Sequence, residues 1–282
     1  MRIITRNSSL YRAVQSARAR KHTIGFVPTM GFLHDGHLSL MRHSKNENDL
    51  TVVSVFVNPK QFVSQEDLKQ YPRDKKRDEL LVRREKVDIM FYPTAEEMYP
   101  EGFLTYVRVE KMSGCLCGKY REGHFQGVTT IVAKLLNLVS PDTLYLGQKD
   151  AQQAVIIQTM VKDLNFPVHV KVLPTIREKD GLAMSSRNSL LTVNERKEAP
   201  VLFYALRKAE QAVRSGERSV KNIQRAIEEA IERSSVATVQ YVECVDAQNL
   251  KSLSKLRGKV LISLAAWFGK TRLIDNIVVD AG

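Results

Sequence analysis

Pro28-Thr29-Met30-Gly31-Phe32-Leu33-His34-Asp35-Gly36-His37 follows directly on the apolar run Thr23 to Val27. The run reads as a buried strand that ends in a glycine-bearing turn, and the histidines open the helix beyond it. A spacing of three residues is close to one helical turn, so both imidazoles project from one side. The start of a helix also presents unpaired backbone N–H groups and the positive end of a dipole, which favour a phosphate. Two imidazoles aimed at one point can hydrogen-bond phosphate oxygens and stabilise charge that grows there. The stretch points to a nucleoside triphosphate attacked at its α-phosphate. His-x-x-His also occurs by chance on helix surfaces. Zinc ligation is disfavoured, because no glutamate stands between the histidines and no third ligand lies nearby.

Outward from this unit, strand-like and helix-like segments alternate. Leu50 to Val57 is a second β-branched run, and Leu38 to His43 carries a short helical pattern before it. Asp74 to Lys86 reads as a charged amphipathic helix and Val87 to Tyr92 as a strand. Val128, Ile131, Val132, Leu135, Leu136 and Val139 make one face of a buried helix. A strand at Thr143 to Leu146, a helix at Ala151 to Leu164 and a strand at Val168 to Leu173 complete the series. Repeated strand–helix–strand units with near-continuous apolar strands predict an α/β fold with a doubly wound parallel sheet. In such sheets ligands sit beyond the carboxyl ends of the strands, where the histidine turn, Asn58 to Phe62 and Gly147 to Asp150 all fall.

After about Ile176 the character changes. Helices at Asn194 to Ser215 and Val220 to Arg233 precede strands at Thr238 to Val245, Lys259 to Trp267 and Arg272 to Val279. This order predicts a small α+β domain, which places domains at 1–175 and 176–282.

The chain has 282 residues, 43% hydrophobic and 26% charged, which suits a globular protein with real cores. No apolar stretch is long enough to span a bilayer, and Met1 to Arg6 lacks the apolar core of a secretory signal, so the cytoplasm is the expected location. Cys115, Cys117 and Cys244 form no disulfide framework and read as reduced thiols. A formal charge of +12 raises the question of nucleic acid. The basic residues are scattered, without a basic tail or an aromatic platform, so they read as solvated faces that also attract anionic ligands. Neither nucleic acid nor membrane is an expected partner.

Three further clusters carry chemistry. Gln61, in Val57-Asn58-Pro59-Lys60-Gln61-Phe62, presents an amide suited to hydroxyl and carboxylate groups, although a turn glutamine is often only solvated. In Gly147-Gln148-Lys149-Asp150-Ala151-Gln152-Gln153, Gly147 permits close approach of a ligand and Lys149 supplies a point charge. Asp150 can accept from ribose hydroxyls or cap the helix, and Gln153 lies on its side. A capped helix with a surface lysine would look the same. Met184-Ser185-Ser186-Arg187-Asn188 offers hydroxyls and a guanidinium that can wrap a triphosphate, or simply leads into a helix.

Taken in order, these clusters closely resemble the pantoate–β-alanine ligase family. Tyr71-Pro72-Arg73, Gly123-His124-Phe125-Gln126-Gly127-Val128, Asp180 to Asn188, Ala265-Ala266-Trp267 and Arg272-Leu273-Ile274-Asp275-Asn276 add to the match, which is collinear over nearly the whole chain. The resemblance implies a Rossmann-like nucleotidyltransferase domain followed by a smaller C-terminal lid. It implies two chemical steps. Pantoate attacks the α-phosphate of ATP to give pantoyl adenylate and pyrophosphate, and β-alanine then displaces AMP.

The roles that follow are also implied by the resemblance. His34, His37, Lys149 and Arg187 are the catalytic set, with His37 the proton donor. ATP contacts fall on Met30, Gly31, Phe32, Leu33, His34, Asp35, Gly36 and His37. They continue at Gly147, Gln148, Lys149, Asp150, Ile176, Met184, Ser185, Ser186 and Arg187. Gln61 and Gln153 hold pantoate, Asp78 neighbours Mg2+, and the protein is a homodimer. Two departures stand out. Position 148 is Gln where many family members carry Glu, and basic residues dilute the acidic cluster Asp74 to Glu79. The alternatives are a nucleotidyltransferase acting on a phosphate-bearing acceptor and an RNA-binding derivative of a synthetase-like core. The first would need extra cations where Gln61 and Gln153 stand, and the second an added domain.

Overall fold

The computed structural model describes residues Met1–Gly282. Its first sheet holds β1 (Arg2–Ile4), β2 (Ile24–Thr29), β3 (Leu50–Val55), β4 (Ile89–Phe91), β5 (Thr143–Gly147) and β6 (His169–Leu173). They lie in the order β1-β4-β3-β2-β5-β6, and every pairing is parallel. The helices around it are α1 (Asn7–Ala19), α2 (Asp35–Glu47), α3 (Gln65–Gln70), α4 (Lys75–Arg84), α5 (Ala95–Met98), α6 (Cys117–Tyr120), α7 (His124–Val139) and α8 (Ala151–Asp163). Beyond β6 come α9 (Val193–Glu198), α10 (Val201–Arg214) and α11 (Val220–Ile231). An antiparallel sheet follows, with β7 (Ala237–Asp246), β8 (Lys259–Phe268) and β9 (Thr271–Asp280) in sequence order.

Separate cores cover the two faces of the parallel sheet. Phe26, Val52, Ile89 and Leu144 point to one side, where Leu10, Val14, Val132 and Ile157 meet them. Val27, Val53, Met90 and Tyr145 point to the other, against Leu38, Met41 and Val82. Successive residues of one strand face opposite ways, so a strand buried on both sides is apolar over most of its length. This is the doubly wound, Rossmann-like arrangement. Gly25 permits α2 to lie close on β2, since a Cβ there would stand 2.1 Å from Ser44 Oγ.

The same alternation docks the second sheet. On β8, Val260, Ile262, Leu264, Ala266 and Phe268 pack with Leu202, Leu206, Ile223 and Ile227 of α10 and α11. Leu261 and Ala265 on the opposite face join the core beside the parallel sheet. Apolar burial thus holds the two units together over a broad face.

Two readings of the sequence need amendment. Arg2–Ile4 and Asn7–Ala19 form β1 and α1, which the apolar pattern did not disclose. β1 is only three residues long and sits at the sheet edge, so it leaves almost no periodicity to read. The helix expected over Asn194 to Ser215 is two helices, because Pro200 lacks the N–H that would continue the ladder.

Candidate active site

β2 and β5 are neighbours, yet the chain runs from β2 to β3 on one side and from β5 to β6 on the other. The crevice beyond their carboxyl ends is therefore a topological switch point, where ligands bind in open α/β sheets. The cleft there has a volume of about 250 Å³.

After β2 the chain reverses through Gly31 (φ +82°) and Phe32 (φ +49°), both left-handed. A Cβ on Gly31 would stand 2.9 Å from Val55 Cγ1 and from Asp78 Oδ2, so sterics and conformation both require glycine. Asp78 holds the turn from behind: Phe32 N–H donates to Oδ2 at 2.9 Å and Leu33 N–H to Oδ1 at 2.8 Å. Burial raises the Asp78 carboxyl above its ordinary value, against the pull of those two donors. Asp78 lies outside the cleft and is 2% exposed, with both oxygens engaged. Asp78→Ala leaves two amides unpaired and should destabilise the protein by about 2–3 kcal/mol. A loss under about 0.5 kcal/mol in urea unfolding would remove Asp78 from this role.

His34 stands at the N-cap of α2 and His37 three residues in, with ring centroids 4.0 Å apart. The His34 N–H donates to His37 Nδ1 at 3.3 Å. That bond makes Nδ1 an acceptor, so the neutral ring carries its proton on Nε2. Gly36 leaves room for the His34 ring, which a Cβ would approach to 2.9 Å. Burial lowers His37 to about 4, with the charge of Lys149 adding to the effect and Asp150 opposing it. Burial, then His37 and Lys149, lowers His34 to about 2. Both rings are neutral at pH 7 in the ligand-free cleft, and His34 Nδ1 is buried without a hydrogen-bond partner.

Across the cleft, the turn after β5 carries Lys149 and Asp150, with Nζ 3.4 Å from Asp150 Oδ1. Desolvation within the cleft favours the neutral form of Asp150, whose side chain is still 49% exposed, and the charge and hydrogen bond of Lys149 outweigh it and keep the carboxyl low. The antiparallel sheet clamps this turn. Asn276 Nδ2 on β9 donates to the carbonyls of Gln148 and Lys149 at 3.0 and 2.9 Å, and Gln148 Nε2 donates to Asn276 Oδ1 at 3.1 Å.

Gln61 ends the short 3-10 turn Pro59–Gln61, wedged against α7. A Cβ on Gly127 would come within 2.3 Å of Lys60 O, so that approach depends on glycine. Asn58 Nδ2 donates to Gln61 Oε1 at 3.0 Å and to Gly127 O at 3.0 Å, which sets the amide orientation. Gln61 Nε2 is left facing Met30 Sδ at 2.9 Å, a weak acceptor that a substrate oxygen can replace. Gln153 also lines the cleft. Its neighbour Gln152 lines the cleft too, but its amide is engaged, with Nε2 on the carbonyls of Met112 and Cys115 and Oε1 on Cys117 N–H.

The junction after β6 supplies the remaining wall. Ser186 Oγ donates to Phe32 O at 3.1 Å, and Ser185 Oγ accepts from Arg187 N–H at 3.2 Å. Arg187 lies over the Tyr71 ring, 5.8 Å from its centroid.

Of the residues read from the sequence, Met30, His34, Gly36, His37, Gln61, Gly147, Lys149, Asp150, Gln153, Ile176, Met184, Ser185, Ser186 and Arg187 share this cleft. Gly31, Phe32, Leu33, Asp35 and Gln148 do not line it: Leu33 is in the core, Asp35 is exposed, and Gln148 faces β9. Arg121, His124, Arg272 and Asn276 do line it, and no role was read for them. They sit far along the chain from the histidine turn, and only the motifs Gly123 to Val128 and Arg272 to Asn276 hinted at them.

His34, His37 and His124 all have folded pKa values below the ordinary 6.5, and burial first and then Arg121 lower His124 to about 3. The unfolded chain therefore takes up more protons than the folded one once the pH falls below about 6.5. Stability should decline from there down towards pH 4 and 3, where His37 and His124 protonate in place. Melting temperatures measured across this window should fall, and His124→Gln should flatten the slope. An unchanged slope would exclude His124 as a source.

The fold and the cleft define an α/β enzyme of the nucleotide-binding type, with its reacting groups gathered at a switch point. A family model described as pantoate–β-alanine ligase matches residues 2–278. The chain is 50% identical over 281 residues to a pantothenate synthetase from Caldicellulosiruptor bescii, covering 100% of both chains. It is 49% identical to the pantothenate synthetase of Acetivibrio thermocellus, over 99% of this chain and 100% of that one. A crystal structure of pantothenate synthetase from Thermus thermophilus superposes with a TM-score of 0.93 at 44% identity, over 98% and 99% of the two chains. A pantoate–β-alanine ligase from Francisella tularensis, complexed with β-γ ATP and β-alanine, gives a TM-score of 0.82 at 35% identity, over 99% and 97%. This chain belongs to the pantoate–β-alanine ligase family.

Proposed function

We propose that the protein joins pantoate to β-alanine at the expense of ATP, through a pantoyl adenylate. The observation that carries this reading is a single cleft lined both by phosphate-directed groups, His34, His37 and Lys149, and by neutral amides, Gln61 and Gln153. In the first step a pantoate carboxylate oxygen forms a bond to the α-phosphorus, and the bond to the bridging oxygen breaks, releasing pyrophosphate. Charge grows on the α-phosphate oxygens, and Lys149 with the Nε2–H of His37 stabilises it. Ser185, Ser186 and Arg187 hold the β- and γ-phosphates. Gln61 exchanges its contact with Met30 for the hydroxyl or carboxylate of pantoate, helped by Gln153. In the second step the β-alanine amine attacks the acyl carbon, and AMP leaves with its phosphate charge held by the same groups.

Residues 1–175 act in this reading as the ATP- and pantoate-binding domain and 176–282 as the lid, in a homodimer, as the family resemblance suggests. No group of three His, Cys, Asp or Glu side chains is placed to hold a metal ion, and both Asp78 oxygens are engaged by backbone amides. A magnesium ion enters with ATP, on its phosphates. No helix is long and apolar enough to cross a membrane.

The test is pyrophosphate release from magnesium-ATP, with pantoate and with or without β-alanine. Release should require pantoate, and AMP should accumulate with sustained turnover only once β-alanine is added. A folded, ATP-binding sample without pantoate-dependent release would overturn the proposal.

A further inference from the structure

Along the cleft wall, a chain of polar contacts joins the turn that carries Gln61 to the loop that carries Arg187. The ring of His124 contacts Gln61 O through Nδ1 at 2.6 Å. A carbonyl only accepts, so Nδ1 carries the proton and Nε2 is free to accept from Arg121 Nη1 at 3.4 Å. Arg121 Nη2 reaches Gln61 O at 3.5 Å and Asp67 Oδ2 at 3.4 Å. The other carboxylate oxygen, Asp67 Oδ1, accepts from Arg187 Nη2 at 3.0 Å.

Asp67 thus bridges two guanidiniums, at Arg121 and Arg187, that would otherwise repel across the cleft wall. The Arg121 and Arg187 side chains are 16% and 25% exposed, so water screens that repulsion only in part. The element that carries Asp67 has little else to hold it. α3 is six residues long and has no buried residue, and its N-terminus is capped by Ser64 Oγ accepting from Asp67 N–H. A segment without core packing takes its order from such tethers. Whatever fixes Arg187 therefore helps to fix α3, and through Asp67 and Arg121 the Gln61 turn.

We propose that Asp67 is a positioning residue that ties the acid-holding turn at Gln61 to the phosphate-holding loop at Arg187, so that filling either subsite favours filling the other. This rests on the assignment of Gln61 to pantoate and Arg187 to the triphosphate. The first ligand bears the entropy of ordering the shared tether, and the second finds it already ordered. The coupling is reciprocal, as any coupling of two binding equilibria must be.

The experiment is calorimetric titration of the full-length protein with an ATP analogue whose α- and β-phosphates are joined by a methylene group, which blocks release of pyrophosphate. Each titration is run without pantoate and with pantoate at saturation. The wild-type protein should bind the analogue about fivefold or more tightly when pantoate is present. In Asp67→Asn, which keeps the shape and removes the charge, that factor should fall below about twofold. The affinity for either ligand alone should stay the same or increase, because Arg187 is released from Asp67. Asp67→Glu should restore part of the coupling, and Arg121→Lys should lose it through the other end of the tether.

Several results would overturn the proposal. One is a wild-type protein that binds both ligands without coupling, and another is undiminished coupling in Asp67→Asn. Weakened binding of each ligand alone would also do so, since it marks a merely structural role. A wild-type protein that binds the analogue but not pantoate would instead remove the substrate assignment on which the tether depends.

Discussion

Lys149→Ala should lower the rate of pyrophosphate release by about 100- to 1,000-fold, with a much smaller change in the binding of the ATP analogue. The asymmetry follows from where Lys149 sits. Its side chain is 20% exposed at the end of β5, beside two histidines that burial keeps neutral. Its charge acts on both rings, and in the proposed reading the ground-state triphosphate has other partners in Arg187 and the serine hydroxyls. In that reading, charge that develops at the α-phosphate has Lys149 and the Nε2–H of His37, and the loss falls on the chemical step. Lys149→Arg should recover little, because a planar fork cannot reproduce a compact ammonium at that point. Single-turnover measurement separates the two effects. A variant that loses affinity and keeps its chemical rate would show Lys149 to be a binding group only.

Asp275→Ala should destabilise the protein by about 3 kcal/mol. The Asp275 side chain is 2% exposed, and Arg177 grips it with Nη1 on Oδ2 at 2.7 Å and Nη2 on Oδ1 at 3.0 Å. Arg177 also donates to Gly181 O at 3.0 Å and lies 4.6 Å from the centroid of Phe203. Removal of the carboxylate strands a mostly buried guanidinium against an aromatic ring and a carbonyl. The double variant Asp275→Ala, Arg177→Met removes both charges and should regain part of the stability, as expected when the penalty comes from an unpaired charge. Denaturant unfolding checks both values, and a single variant within about 1 kcal/mol of wild type would contradict the argument. The same pair touches function. Asp275 also accepts the Asn276 N–H at 2.8 Å, and Asn276 is the residue that holds the Lys149 turn. Asp275→Ala should therefore slow catalysis even at temperatures where the protein stays folded.

The alternation of strand and helix from Thr23 to Leu173 was legible because strands buried on both faces are apolar at most positions. The run Ile24 to Val27 and the run Val52, Val53 and Val55 fit that pattern. A glycine where a strand meets a helix is equally plain, since Gly31 answers a backbone requirement set within a few residues. The C-terminal strands were legible as well, although no local pattern disclosed that β8 contributes to two separate cores. Pro200 is where the helix expected over Asn194 to Ser215 divides, and a proline is the local residue that can signal such a break. Asp78 shows the limit most clearly. An acidic residue near a phosphate-directed turn suggests a metal ligand, but its oxygens face Phe32 and Leu33, contacts that cross 46 and 45 residues of chain.

The sequence by itself determined the order of elements, the switch-point turns and the types of side chain available for a phosphate and a carboxylic acid, because each depends on residues close together in the chain. Tertiary structure alone decided what those side chains do. Burial makes His34 and His37 neutral, β9 fixes the backbone under Lys149, and Asp67 joins two arginines that lie 66 residues apart in the sequence. Charge state and orientation depend on desolvation and on partners brought together by folding, and neither is encoded in any local run of residues.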